Sequence, residues 1–189
     1  MDTQHLVEEF VEYVKKMKIE LYNEASVQYE LAFYLRRKLK KKNYEIQLER
    51  NVSYFGLKKG KFEKAEIDII IFSADMREKS ALEIKFPTNG ETPAQMFSFC
   101  TDIKFLEQLQ AEGFHNNMFI VLTSDHLFWE GREEKNIYEP FRKTGILEGI
   151  VKDPFSNDKI KFCKRYNFKW RDGFKDEDDK IVRFFIVKI

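Results

Sequence analysis

Near the start of the chain Leu6, Phe10, Val14, Met17 and Leu21 recur every three or four positions, spacing that lays one apolar face along a helix over 3–22. Asn23 suits the stop and can cap a second helix opening at Glu24. That helix carries Val27, Leu31, Leu35 and Leu39 on one face and runs to Lys40-Lys41-Lys42-Asn43, where cations suit the C-terminal dipole and Asn suits the exit. From 44 to 55 the period changes to two, with Tyr44, Ile46, Leu48, Val52 and Tyr54 alternating as in a strand, and Gly56 to Gly60 reads as a loop.

Two β-rich runs follow, Glu66–Phe72 and Ala81–Phe86, joined by a polar link over 73–80 that is short enough for an antiparallel hairpin. Pro87 ends the second run. Thr92 and Pro93 suit the cap and first turn of a helix over 93–112, closed by Gly113. Met118–Thr123 is then a nearly unbroken apolar strand, so 81–123 forms a right-handed strand–helix–strand crossover with parallel strands. Beyond it the pattern predicts a loop at 125–135, a short helix near 137–143 and a strand near 146–152. A terminal hairpin of 160–170 with 181–189 would then turn at DGFKDEDD. No repeat or low-complexity linker divides the chain. It reads as a single α/β domain over 1–189, with a core at 24–123, an N-terminal helix at 1–22 and a β-rich C-terminal extension at 125–189.

Composition bears this out. With 43 % hydrophobic and 15 % aromatic residues among 189, including 19 Phe, the chain can bury enough surface to repay its ordering entropy. The balance of 33 Lys+Arg against 32 Asp+Glu, net +1, gives no global pull towards a polyanion, so any such signal must be local. No apolar run reaches membrane-spanning length and the acidic, amphipathic start is not a signal peptide, which points to a cytoplasmic protein with no membrane partner. Cys100 and Cys163 stand outside any metal-binding or disulfide spacing, and His5, His115 and His126 are isolated. His126 keeps an interest of its own because it follows the end of a parallel strand. Dinucleotide, Walker and nucleophile-elbow motifs are absent. The aromatics Phe97, Phe99, Phe128, Trp129 and Phe141 read as core.

The chemistry gathers on the hairpin. Side chains two apart on a strand share a face, so Glu83 and Lys85 point one way and Leu82, Ile84 and Phe86 the other. Pairing Phe72 with either Lys79 or Ala81 sets Asp68 across from Glu83 or from Lys85, in both cases on one face. Two carboxylates beside an ammonium are easier to understand with a cation between the acids, and hard oxygen donors on a half-open site suit Mg²⁺ or Mn²⁺. A divalent ion activates water and an ammonium stabilises charge building on a phosphoryl group, which together are the equipment of phosphodiester hydrolysis. A further acid comes from the second helix, Glu24 at its start or Glu30 to the side of Val27.

Glu24 on a helix, the Glu66-Ile67-Asp68 step, the Glu83-Ile84-Lys85 triplet and the helix that follows resemble the core of the PD-(D/E)XK nuclease superfamily over about 24–123. Ile67 stands where the name motif carries proline. NEASVQYELAFYL, EIDIII, EIKFP and DIKFLEQL are also similar to stretches of a group of uncharacterised bacterial proteins related to that superfamily. The resemblance implies a restriction-endonuclease-like mixed sheet flanked by helices. It also implies metal ligation by Asp68, Glu83 and the Ile84 carbonyl, water activation by Lys85, and support from Glu24 or Glu30 and from Gln95 or Gln108. The implied activity is metal-dependent hydrolysis of nucleic acid, DNA first, and cutting both strands would favour a homodimer. The alternatives are a catalytically silent copy of that fold that binds nucleic acid or protein, and an interaction domain without a nucleic-acid role.

Cations for a polyanion come from Arg36-Arg37-Lys38 with Lys40–Lys42, from 58–64, and from 164–171. In the last stretch Lys164, Arg165, Lys169 and Arg171 interleave with Tyr166, Phe168 and Trp170, which suits phosphate contact with base stacking. The same alternation also describes an edge strand that packs one face and wets the other.

Overall fold

The computed structural model describes residues 2–88 and 90–189, without the side chains of Lys41 and Lys59. The chain is a mixed α/β fold in three layers, with one mixed sheet between two helical faces.

Helix α1 spans Thr3–Met17, shorter than the sequence pattern suggests. Lys18 turns left-handed at φ 53° and returns its N–H to the Val14 carbonyl, which closes the helix. The buried stripe is Val7, Phe10, Val11 and Val14, whereas Met17 is exposed and Leu21 enters the core from the turn beyond. Helix α2, Glu24–Leu39, opens on a capping box in which Asn23 accepts from Ser26 N–H and Ser26 Oγ accepts from Asn23 N–H.

Strand β1 covers Tyr44–Asn51 and then stops, because Val52 packs on the opposite side of the sheet from Ile46. Residues 52–55, expected to continue the strand, form instead a 3₁₀ turn capped by the Asn51 side chain. Strand β2, Glu66–Ser73, and β3, Lys79–Lys85, form the expected antiparallel hairpin, with Phe72 opposite Lys79. Helix α3 spans Thr92–Ala111, so Thr92 is its first residue and not the expected cap, which falls to Glu91 without a side-chain bond, and β4, Met118–Thr123, returns parallel to β3.

The C-terminal third differs most from expectation. A 3₁₀ turn sits at His126–Phe128 and one π-helical turn at Pro140–Thr144. The strand expected near 146–152 is broken at Gly149, φ 68°, into β5, Ile146–Leu147, and β6, Ile150–Lys152. These two pair with β8, Tyr166–Asn167, and β7, Lys159–Lys161, in two separate ribbons. The closing hairpin is β9, Arg171–Lys175, with β10, Ile181–Lys188, rather than 160–170 with 181–189. Asp176 draws the turn tight by accepting from Asp178 N–H and Lys180 N–H, so Phe174 lies inside a strand.

β10 also pairs antiparallel with β4, giving the sheet order β1-β2-β3-β4-β10-β9. Two strands of the central sheet therefore come from the stretch read as an extension. Helices α1 and α2 cover one face over Ile69, Leu82, Ile84 and Ile120, and α3 with the two ribbons covers the other over Ile70, Phe72, Ala81 and Phe119. Buried Glu107 of α3 pins the ribbons by accepting from Cys163 N–H at 2.9 Å and Tyr166 O–H at 2.8 Å. The core aromatics behave as expected: Phe99, Phe128 and Phe141 are buried, with Phe97 and Trp129 packed against them. Among the described residues no helix is long and apolar enough to cross a membrane.

Candidate active site

The β2–β3 ladder runs as far as the Ile69–Leu82 pair, which places Asp68 opposite Glu83 one step further on. Both side chains face α3, and each bonds to the backbone of the other strand. Asp68 Oδ2 accepts the Ile84 N–H at 2.7 Å, and Glu83 Oε1 accepts the Asp68 N–H at 3.3 Å. Asp68 is 5 % exposed and Glu83 fully buried.

Two residues that the sequence did not assign to the site complete the cluster. Asp102, in the middle of α3 and 2 % exposed, reaches down to the same point. Lys64, from the loop before β2, inserts its ammonium among the three acids. It is 3.7 Å from Asp68 Oδ1, 3.0 Å from Asp102 Oδ1, and directly paired with Glu83 Oε2. Lys85 lies alongside, 3.3 Å from Asp102 Oδ2 and 3.4 Å from Glu24 Oε1. Asp102 Oδ2 has no hydrogen-bond partner despite its burial. An acid inside the apolar run FCTDIKFL of a helix was the signal available for Asp102. Lys64 offered none, since its role depends on where a loop lies.

The electrostatics follow from crowding in a dry place. Burial pushes the Asp68 carboxyl up to about 6 against the pull of Lys64. Burial, then the charges of Asp68 and Asp102, push Glu83 well above the usual carboxylate range. Burial works against charge on Lys64 and Lys85, but the surrounding carboxylates outweigh it and hold both ammoniums above the ordinary lysine value.

Of the two supporting acids considered, Glu24 joins the site through Lys85, while Glu30 makes no ion pair among the described residues. Gln108 borders the cluster by accepting the Glu63 N–H at 2.9 Å, next to Lys64. The Gln95 side chain makes no hydrogen bond among the described residues. Ile84 enters through its N–H to Asp68. Among the described residues no group of three His, Cys, Asp or Glu is set to hold a metal as it stands. The cation that three carboxylates share is the Lys64 ammonium.

The stretch at 164–171 packs one face and wets the other. Phe168 stacks on Phe185 at 4.3 Å and Trp170 meets the same ring edge-on at 4.7 Å, so both partly buried rings are engaged against the core, which corrects the expectation that they stack on bases. Arg171 is tied to Glu8 at 3.1 Å and Arg165 to Glu148 at 3.7 Å, while Lys164 bonds Gln110. Lys169 is exposed and makes no ion pair among the described residues. Lys64, counted with the surface cations of 58–64, belongs to the site instead. His126 sits in a 3₁₀ turn at the rim of a cleft of about 440 Å³ lined by Tyr22, Phe86 and Asp125.

Compared with protein-family models, with curated proteins and with solved structures, the chain gives no match.

Proposed function

We propose that this protein is a metal-dependent phosphodiesterase acting on nucleic acid, with DNA as the first substrate to test, built on a restriction-endonuclease-like core of the PD-(D/E)XK kind. One observation carries the proposal. Carboxylates from β2, β3 and α3 converge on a single cation position, and a second lysine stands beside it.

The donor set fits a divalent ion. Three hard oxygen ligands already surround one cation, and Asp102 Oδ2, buried without a hydrogen bond and met only by the Lys85 ammonium at 3.3 Å, faces the same cluster. Asp68 and Glu83 would hold the ion, with Asp102 as the third carboxylate. When bound, the ion supplies charge neutralisation and a water of lowered pKa.

The remaining work falls to the chain itself. Lys85, 15 % exposed at its side chain, keeps its proton because Asp102 and Glu24 raise its pKa. It therefore acts as a hydrogen-bond donor that orients water and stabilises phosphoryl charge, not as a general base. Glu24, at the rim, positions Lys85 through their ion pair. Lys169 and its neighbours would add non-specific phosphate contacts.

The Lys64 pairing favours a second reading, a silent member of the fold whose closed ion-pair network only fastens α3 to the sheet. The two readings part when labelled single- and double-stranded DNA and RNA are incubated with Mg²⁺ or Mn²⁺, with chelator, and with Lys85→Ala. A nuclease gives metal-dependent products that fall at least about 100-fold in Lys85→Ala while nucleic-acid retention persists. Equal cleavage by Lys85→Ala would remove Lys85 from the chemistry, and retention without cleavage by the wild type would support the silent member.

A further inference from the structure

Lys64 holds the position where the proposed metal would sit. Its ammonium touches Asp68, Glu83 and Asp102 together, whereas among the described residues Lys85 forms ion pairs with Asp102 and Glu24. With every group ionised, Asp68, Glu83 and Asp102 face the two ammoniums of Lys64 and Lys85 and leave one negative charge over. A divalent ion in place of Lys64 brings the same inner set to zero. Burial makes that imbalance costly, because charges in a low-dielectric interior are poorly screened.

The stem of Lys64 also has a way out. Its side chain is 26 % exposed, while Asp68 and Asp102 show 7 % and 3 %. The backbone on either side is anchored, by Glu63 N–H to Gln108 and by the Ala65 carbonyl accepting from Val52 N–H. Rotation of one flexible side chain therefore suffices, with the strands and α3 left in place. Its neighbouring contact is the Phe105 ring, 5.9 Å from the ammonium.

Resting on the metal-dependent reading above, we propose that Lys64 is a tethered counter-cation, and that a divalent ion enters the site by exchange with the Lys64 ammonium. Without metal the cluster is held closed and compensated in part, to within one negative charge, by the Lys64 side chain. With metal, the released ammonium lies beside the site, free to meet the negative charge of a phosphodiester. Metal affinity is then set by competition with an internal cation.

The test is Mn²⁺ binding by calorimetry to wild type, Lys64→Met and Asp68→Asn, alongside mass-spectrometric mapping of lysine acylation in the wild type with and without Mn²⁺. Lys64→Met should bind Mn²⁺ about tenfold or more tightly than wild type, since apparent affinity falls with the fraction of molecules whose position is free. Acylation of Lys64 should rise several-fold with Mn²⁺, against unchanged Lys58 and Lys61. If wild type binds, Asp68→Asn does not, and Lys64→Met binds no tighter than wild type, the exchange is overturned and the metal site stands. If neither wild type nor Lys64→Met binds, both fall. Should Lys64→Met fail to fold, the wild-type map decides: Lys64 acylation indifferent to Mn²⁺ in a protein that binds it overturns the exchange.

Discussion

Replacing Asp68 with asparagine should stabilise the metal-free protein at neutral pH, and the gain should depend on pH with a definite sign. The Asp68 carboxyl is pushed from an ordinary 3.8 up to about 6, chiefly by burial. Between those values the folded state holds a proton that the unfolded state has lost. The Asp68 contribution is thus fully favourable below about pH 4 and is lost as pH rises through about 6. At about 1.4 kcal/mol per unit, keeping this group ionised costs the folded state up to roughly 3 kcal/mol at pH 7. Asparagine copies the protonated form: its side-chain carbonyl can still accept the Ile84 N–H, and no charge is buried. The difference between variant and wild type should therefore be near zero at pH 4 and approach roughly 3 kcal/mol at pH 7, or several degrees in midpoint for a chain of this size. Urea unfolding of both proteins at four pH values between 4 and 7, in chelator, measures it. A difference independent of pH, or a variant less stable at pH 7 than wild type, would refute the assignment of a buried, strained carboxylate.

Other consequences lie further from the acids. Asn117, fully buried, joins three elements by accepting from Ala81 N–H at 2.9 Å and donating to the Leu106 and Phe114 carbonyls at 3.2 Å. Asn117→Ala should cost about 2–4 kcal/mol in urea unfolding, because three buried backbone groups lose their partners. Phe185→Ala should cost about 3–5 kcal/mol and shift tryptophan emission to the red, since Trp170 packs edge-on against that ring at 4.7 Å. Lys169→Ala should leave stability within about 0.5 kcal/mol, yet lower the salt slope of nucleic-acid retention by about one unit if the link between β8 and β9 meets phosphate.

What the sequence revealed and what it hid have physical reasons. The face shared by Asp68, Glu83 and Lys85 was legible because strand side chains alternate strictly, and a short link limited the hairpin to two registers. The structure takes the one that opposes Asp68 to Glu83. Helix α3 was legible from Thr92-Pro93 at its start and Gly113 just beyond its end. The C-terminal third was not, because strands of two or three residues carry too little alternation to be seen, and the pairing of β10 with β4 joins segments far apart in sequence. The same limit hid half the site. Asp102 approaches from a helix packed over that face of the sheet and Lys64 from a loop, and neither belongs to the period that exposed the hairpin acids.

The most direct check of a divalent-cation site at Asp68 and Glu83 is thermal unfolding of wild type and Asp68→Asn with and without Mn²⁺ or Mg²⁺. At about ten times its dissociation constant the ion should add roughly 1.4 kcal/mol to the wild type, a rise of a few degrees, and nothing to Asp68→Asn. A wild type indifferent to both ions, or an equal rise in the variant, would contradict a metal centre built on these carboxylates.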